Sequence, residues 1–168
     1  MCPARLAPGG SWRKDVDWWL RTSTQKELRL QVHSEEADEV AAWLHRECPK
    51  TLQSLELSVS EFTVNLCLAL QGTRLRRLRI WSTDITQEGG DLLATILSNN
   101  NYIREFELVQ NLIDDNAAEY IAFAVSRSDY LRKLVLAHNE LSSCAMWMLA
   151  DAAEMNMKCQ TLSCGEIS

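Results

Sequence analysis

The 168 residues are 46% hydrophobic and 24% charged, the composition of a folded chain able to bury one continuous core. A formal net charge of -6 supplies no basic face for nucleic acid. No apolar run approaches the roughly 18 residues of a membrane span, and the first ten residues lack a signal-peptide apolar segment. The expectation is therefore a cytoplasmic protein with neither nucleic acid nor membrane among its partners.

In chain order, residues 1–10 hold two prolines, two glycines and no periodicity, which reads as a disordered leader. Ser11 can cap a helix over 11–22, in which Val16, Trp19 and Leu20 share one face with Trp18 beside it. Such a helix caps the open end of a stack, or offers aromatic side chains to another protein. Next, Leu28 and Leu30 mark a strand, His33 a bend, and EEADEVAAWLHREC a helix with Val40, Trp43, Leu44 and Cys48 inward that Pro49 stops. A second strand, with Leu52, Leu55 and Leu57, leads past Ser60 and Phe62 to a helix through Leu66, Leu68 and Leu70 that Gly72 ends.

From Leu75 the pattern becomes regular. Leu75, Leu78, Ile80, Thr83, Ile85 recurs as Ile103, Phe106, Leu108, Asn111, Ile113 and again as Leu131, Leu134, Leu136, Asn139, Leu141, each copy 28 residues after the last. Residues two apart on a strand point to one side, so Leu134 and Leu136 face a core while Lys133, Val135 and Ala137 face away. The period then changes to three and four. Gly89, Leu92, Leu93, Ile96, Leu97 match Ala117, Tyr120, Ile121, Ala124, Val125 and then Ala145, Met148, Leu149, Ala152, Ala153, each set a helix with one buried face. Small residues at 89, 117 and 145 let helix approach strand. Asn111 and Asn139 stand where the backbone bends off the strand, placed to satisfy turn groups that would otherwise be unpaired. Leu162, Gly165 and Ile167 open a sixth strand.

The L-x-x-L-x-L-x-x-N-x-L pattern resembles leucine-rich repeats, and a 28-residue unit resembles the ribonuclease-inhibitor-like class. That resemblance covers about residues 25–168 and is strongest over 75–153. It implies an α/β fold: a right-handed solenoid over 23–168 of about five units plus a partial sixth strand, with parallel strands on the concave face and helices on the convex one. Family members usually bind proteins through the concave face. The C-terminal edge is weakly capped, so either another chain covers it, self-association included, or the array continues.

Reading the outward strand positions in register yields three rows. Glu27, Ser54, Arg77, Glu105 and Lys133 form one; Arg29, Glu56, Arg79, Glu107 and Val135 the next; Gln31, Ser58, Trp81, Val109 and Ala137 the third. Charges of alternating sign in the second row can pair with one another, each pair contributing well under about 1 kcal/mol. The third row carries no charge and turns apolar. Two readings stand for Trp81. With Arg77, Arg79, Glu105, Glu107 and Val109 around it, it anchors a protein partner, as aromatic side chains beside arginine do; or it lies flat on Val109 and Arg79 and binds nothing.

Catalysis finds no constellation to use. His33, His45 and His138 fall in different places without a nucleophile motif, and Gly89-Gly90 lacks the lysine of a phosphate loop. Six cysteines show no C-x-x-C spacing; Cys48, Cys67 and Cys144 sit on predicted helices as small hydrophobes. His45 with Cys48 is a poor metal pair, and Cys159 with Cys164 can close a small loop only under oxidation. The expected function is a non-catalytic adaptor or inhibitor-like module without cofactor or metal, binding a protein partner of unknown identity. By resemblance, its rivals are a repeat fragment of an innate-immune sensor, or a regulator of a GTPase or actin filament; an enzyme comes last.

Overall fold

A computed structural model describes residues 12–22, 26–81, 85 and 87–165. Strands and helices alternate along it. Helix α1 (Trp12–Thr22) precedes β1 (Glu27–Val32), a 3-10 turn (Ser34–Glu36), α2 (Ala37–Arg46), β2 (Ser54–Val59), α3 (Val64–Gln71), β3 (Arg77–Trp81) and α4 (Gln87–Asn99). Then follow β4 (Glu105–Val109), α5 (Asp115–Arg127), β5 (Lys133–Val135), α6 (Ser143–Met155) and β6 (Thr161–Ser163). The six strands form one parallel sheet in sequence order. The expected leader, Ser11, Thr83 and Ile167 lie outside the described residues.

Strand alternation makes the core. Leu28, Leu30, Leu55, Leu57, Leu78, Ile80, Phe106, Leu108, Leu134 and Leu136 are all buried, and they share one apolar cluster with Val40, Leu44, Leu66, Leu70, Leu93, Leu97, Ile121, Val125 and Leu149 from the helices. Burying each such side chain contributes about 1.5–3 kcal/mol relative to leaving it exposed. A hydroxyl or carboxylate starts three of the helices: Thr63, Asp114 and Ser142 accept from the N–H groups of Leu66, Ala117 and Ala145, satisfying donors that the helix itself leaves open. Close approach requires the small residues. A Cβ on Gly90 would stand 2.5 Å from the Ala117 Cβ and 2.6 Å from its Cα, so only glycine lets α4 lie so near α5.

The turns carry two polar rows. In the first, the Asn111 side chain donates to the Ile80 carbonyl (2.9 Å), while Asn139 accepts from the N–H groups of Asn111 and Ile113 and donates to the Leu108 and Leu136 carbonyls. The expected turn role of these two amides is thus visible bond by bond. The second row, at the helix-to-strand turns, was not foreseen. Buried Asn100 donates to the Leu70 and Thr73 carbonyls and accepts from the Tyr102 and Ile103 N–H groups. Ser128 accepts from the Leu131 N–H, and Asn156 donates to the Val125 and Ser128 carbonyls. These three positions are again 28 apart, 100 to 128 to 156.

Several expectations need correcting. Among the described side chains of α1, Trp12, Val16 and Trp19 are buried, whereas Leu20 is exposed; the side chain of Trp18 lies outside the described ones. Trp12 meets Trp43 edge to face, and the Trp19 indole donates to the Glu27 carbonyl at 2.8 Å, so α1 does cover the β1 end. Tyr120 and Leu68 are exposed, because their positions fall on the helix faces turned away from the sheet. Cys48 falls two residues beyond the last turn of α2 and is half-buried, and Cys144 is exposed on α6.

Candidate functional site

The face of the sheet turned away from the helices is built by residues between the core leucines. Its rows pair as the alternation dictates: Glu27 beside Ser54, Arg77, Glu105 and Lys133, and Arg29 beside Glu56, Arg79, Glu107 and Val135. Parallel neighbours lie about 4.8 Å apart, within reach of long side chains, and the charges use that reach. Arg29 Nε meets Glu56 at 2.6 Å. Arg79 lies between Glu56, at 3.5 Å, and Glu107, at 3.8 Å, and Lys133 closes on Glu107 at 2.7 Å. In the adjacent row Arg77 bonds Glu105 at 2.7 Å and approaches Glu27. Hydrogen bonding to Glu105 holds the Arg77 guanidinium above its ordinary range, against the opposing pull of its burial. Both rows are therefore self-compensated.

Trp81, on the last residue of β3, occupies different surroundings. It packs, half-buried, on a small cluster of Val109, Val135 and Ala137 separate from the main core. Val109 and Val135 were expected as open surface, yet they are 6% and 3% exposed. The physical reason is that a side chain as wide as indole spans neighbouring strands and shields the smaller ones beneath. So the structure brings Trp81 and Val109 beside the row of Arg79 and Glu107, with Arg77 and Glu105 in the row beyond. Val109 contributes a floor and no rim.

On the other side of the molecule, the outer flank of the helix layer exposes Phe123, Trp147 and Leu68. A groove of about 460 Å³ between α4 and α5 is lined by Asp91, Ala94, Tyr120 and Phe123 among others. Nothing in the sequence pattern pointed there, because the equivalent positions Thr95, Phe123 and Asp151 share no residue type.

Thiol chemistry is disfavoured where burial can be read. Desolvation pushes the Cys48 thiol up to about 11 and raises those of Cys67, Cys159 and Cys164, away from the thiolate that a nucleophile or metal ligand needs. Cys159 and Cys164 are free. Among the described residues no three histidine, cysteine or acidic side chains gather where a metal ion could sit, and no helix is long and apolar enough to cross a membrane.

No protein-family model and no curated protein matches the sequence. Solved structures do resemble it. One, described as leiomodin-1 actin-binding site 2, aligns with a TM-score of 0.56 at 14% identity over 80% of this chain and 79% of that one. Another, the tropomodulin C-terminal domain of Caenorhabditis elegans, aligns with a TM-score of 0.57 at 9% identity over 93% and 83%. At such identities the likeness concerns the fold alone, and the fold is that of a leucine-rich repeat domain.

Proposed function

We propose that this chain is a non-catalytic protein-interaction module, adaptor or inhibitor-like, that receives a protein partner on the open face of its sheet around Trp81. This face would be the concave side of a right-handed solenoid of the ribonuclease-inhibitor-like class, and the site would include Arg77, Arg79, Glu105 and Glu107. One observation carries the reading. Beside two rows of charge that are already paired lies an uncharged indole on an aliphatic floor. A partner covering the indole removes apolar area from water, which is favourable, and need not strip an unpaired charge to do so. The paired rows flanking it supply a polar rim, the usual surroundings of an aromatic anchor. The cytoplasm remains the proposed location.

Affinity capture from lysate tests the site, comparing the wild-type chain with Trp81→Glu. The expected outcome is a protein retained by wild type and lost by the variant, with both melting as folded chains; equal capture by the two rejects Trp81 as the anchor. A second reading, regulation of an actin filament, is favoured by the likeness to the structure described as an actin-binding site of leiomodin-1. Co-sedimentation with filamentous actin decides it: pelleting with actin that Trp81→Glu abolishes supports both readings together, and a chain left in the supernatant removes actin as the partner.

A further inference from the structure

The net charge conceals how charge is distributed. Along the helix-to-strand turns, residues 71–76, 99–104, 127–132 and 155–160 hold five arginines and one lysine against a single carboxylate, Asp129. The described turns at the opposite rim of the sheet, residues 33–36, 60–63, 110–114 and 138–142, hold five carboxylates and no lysine or arginine. A chain of formal net charge -6 therefore carries a basic rim where its strands begin.

The backbone lines the arginines up. In each turn the residue before the strand donates its N–H to the carbonyl of the equivalent residue one unit earlier: Arg76 to Gln53, Arg104 to Arg76 and Arg132 to Arg104, each at 2.7 Å. Parallel neighbours stand about 4.8 Å apart, so Arg76, Arg104 and Arg132 make a row of like charges about 10 Å long. Such neighbours repel. Among the described residues, arginine forms ion pairs at Arg13, Arg29, Arg77 and Arg79, so Arg74, Arg76, Arg104 and Arg132 meet no carboxylate. The open sheet face is the reverse, since its charges are paired with one another.

What holds these arginines leaves their charge intact. Arg104 donates to the carbonyls of Asn101 and Tyr102 at 3.1 and 3.0 Å and lies 4.9 Å from the ring centre of Tyr130. Arg132 donates to the Lys158 carbonyl, and Arg74 lies over the exposed Tyr102 ring at 5.7 Å. Arg76, between them in the row, is exposed. Lys158 itself is occupied by Asp129 at 2.7 Å. A guanidinium carries five N–H donors in a fork that matches a carboxylate. Arg104 and Arg132 each use one nitrogen, so donors stay open on both, and side chains held in this way lose little freedom when an anion arrives.

Charge and spacing select the occupant. On an extended peptide, alternate side chains share a side and stand about 7 Å apart, so two or three carboxylates fall opposite this row within reach of its long side chains. A nucleic acid draws its affinity from many phosphates, and beyond the row it would run on over a molecule of net negative charge. Guanidinium groups also cover one face of the Tyr102 and Tyr130 rings, taking surface on which bases would stack.

We propose that the rim formed by Arg74, Arg76, Arg104 and Arg132 binds an acidic peptide segment of a protein partner, an extended stretch with aspartate or glutamate at alternate positions. This rim is distinct from the Trp81 face, and its test does not depend on that site. Fluorescence anisotropy with a short labelled peptide of alternating glutamate and serine should show saturable binding that added salt weakens. Arg76→Glu and Arg132→Glu each reverse a charge in the row and should each weaken binding at least about tenfold at the wild-type melting temperature. Lys14→Glu makes the same change of charge on an exposed position of α1 and should leave binding within about twofold. A peptide that fails to bind overturns the proposal, as does one whose binding all three reversals weaken alike. Labelled oligouridylate bound more tightly than the peptide would assign the row to nucleic acid and overturn the peptide as its occupant.

Discussion

Trp81 and Trp147 set the two sides of the molecule against each other. Trp147 projects from α6 and is 74% exposed. Trp81 shows less of itself, because it lies on Val109, Val135 and Ala137 beside strands whose charges are already paired. An aromatic held in place by its floor loses little freedom when a partner covers it, whereas a loosely held one must be ordered first. Surface area alone would rank Trp147 higher; preorganisation ranks Trp81 higher. The strand that presents Trp81 also turns Leu78 and Ile80 into the core, so one sheet divides its residues between stability and, in the proposed reading, recognition.

Substitutions on the two faces should separate those roles. The largest effect belongs to the core side: Leu134→Ala opens a cavity between stacked units and should cost about 2–5 kcal/mol in urea unfolding. A neutral result would break the assignment of alternate residues to the two faces. Asn111→Ala comes next. It removes a fully buried donor from the Ile80 carbonyl, and unfolding should register about 1–3 kcal/mol. On the open face the scale falls. Glu107→Gln weakens contacts to Lys133 and Arg79 that are still partly solvated, so a loss of about 1 kcal/mol or less is expected from the same titration. A cost as large as that of Leu134→Ala would mean that the charged rows are part of the core's support.

Much of this was legible in the sequence, and the reason is the repeat. A fixed spacing of 28 residues makes each regular unit a check on the next, so the register of β3, β4 and β5 and their part of both charged rows follow residue by residue from the positions of Leu75, Ile103 and Leu131, whereas the places of β1 and β2 rest on their own leucines. The asparagines at 111 and 139 belonged to the same pattern. What escaped notice lacked such support. Asn100, Ser128 and Asn156 share a period, but differing residue types at helix-to-strand turns look like ordinary turn chemistry. Burial of Val109 and Val135 depends on where one indole lies, which no spacing encodes. Trp12 lies at the start of α1, where a single helix offers no second copy for comparison. The partner is hardest to read, since a repeat specifies how surfaces are built and leaves their outward side chains free to vary.

The most direct measurement is affinity capture with Trp81→Ala and Trp147→Ala side by side, each at a matched concentration of folded chain. If the open sheet face is the recognition surface, Trp147→Ala retains the wild-type partner and Trp81→Ala loses it. Loss with Trp147→Ala and retention with Trp81→Ala would contradict the account and move recognition to the helices.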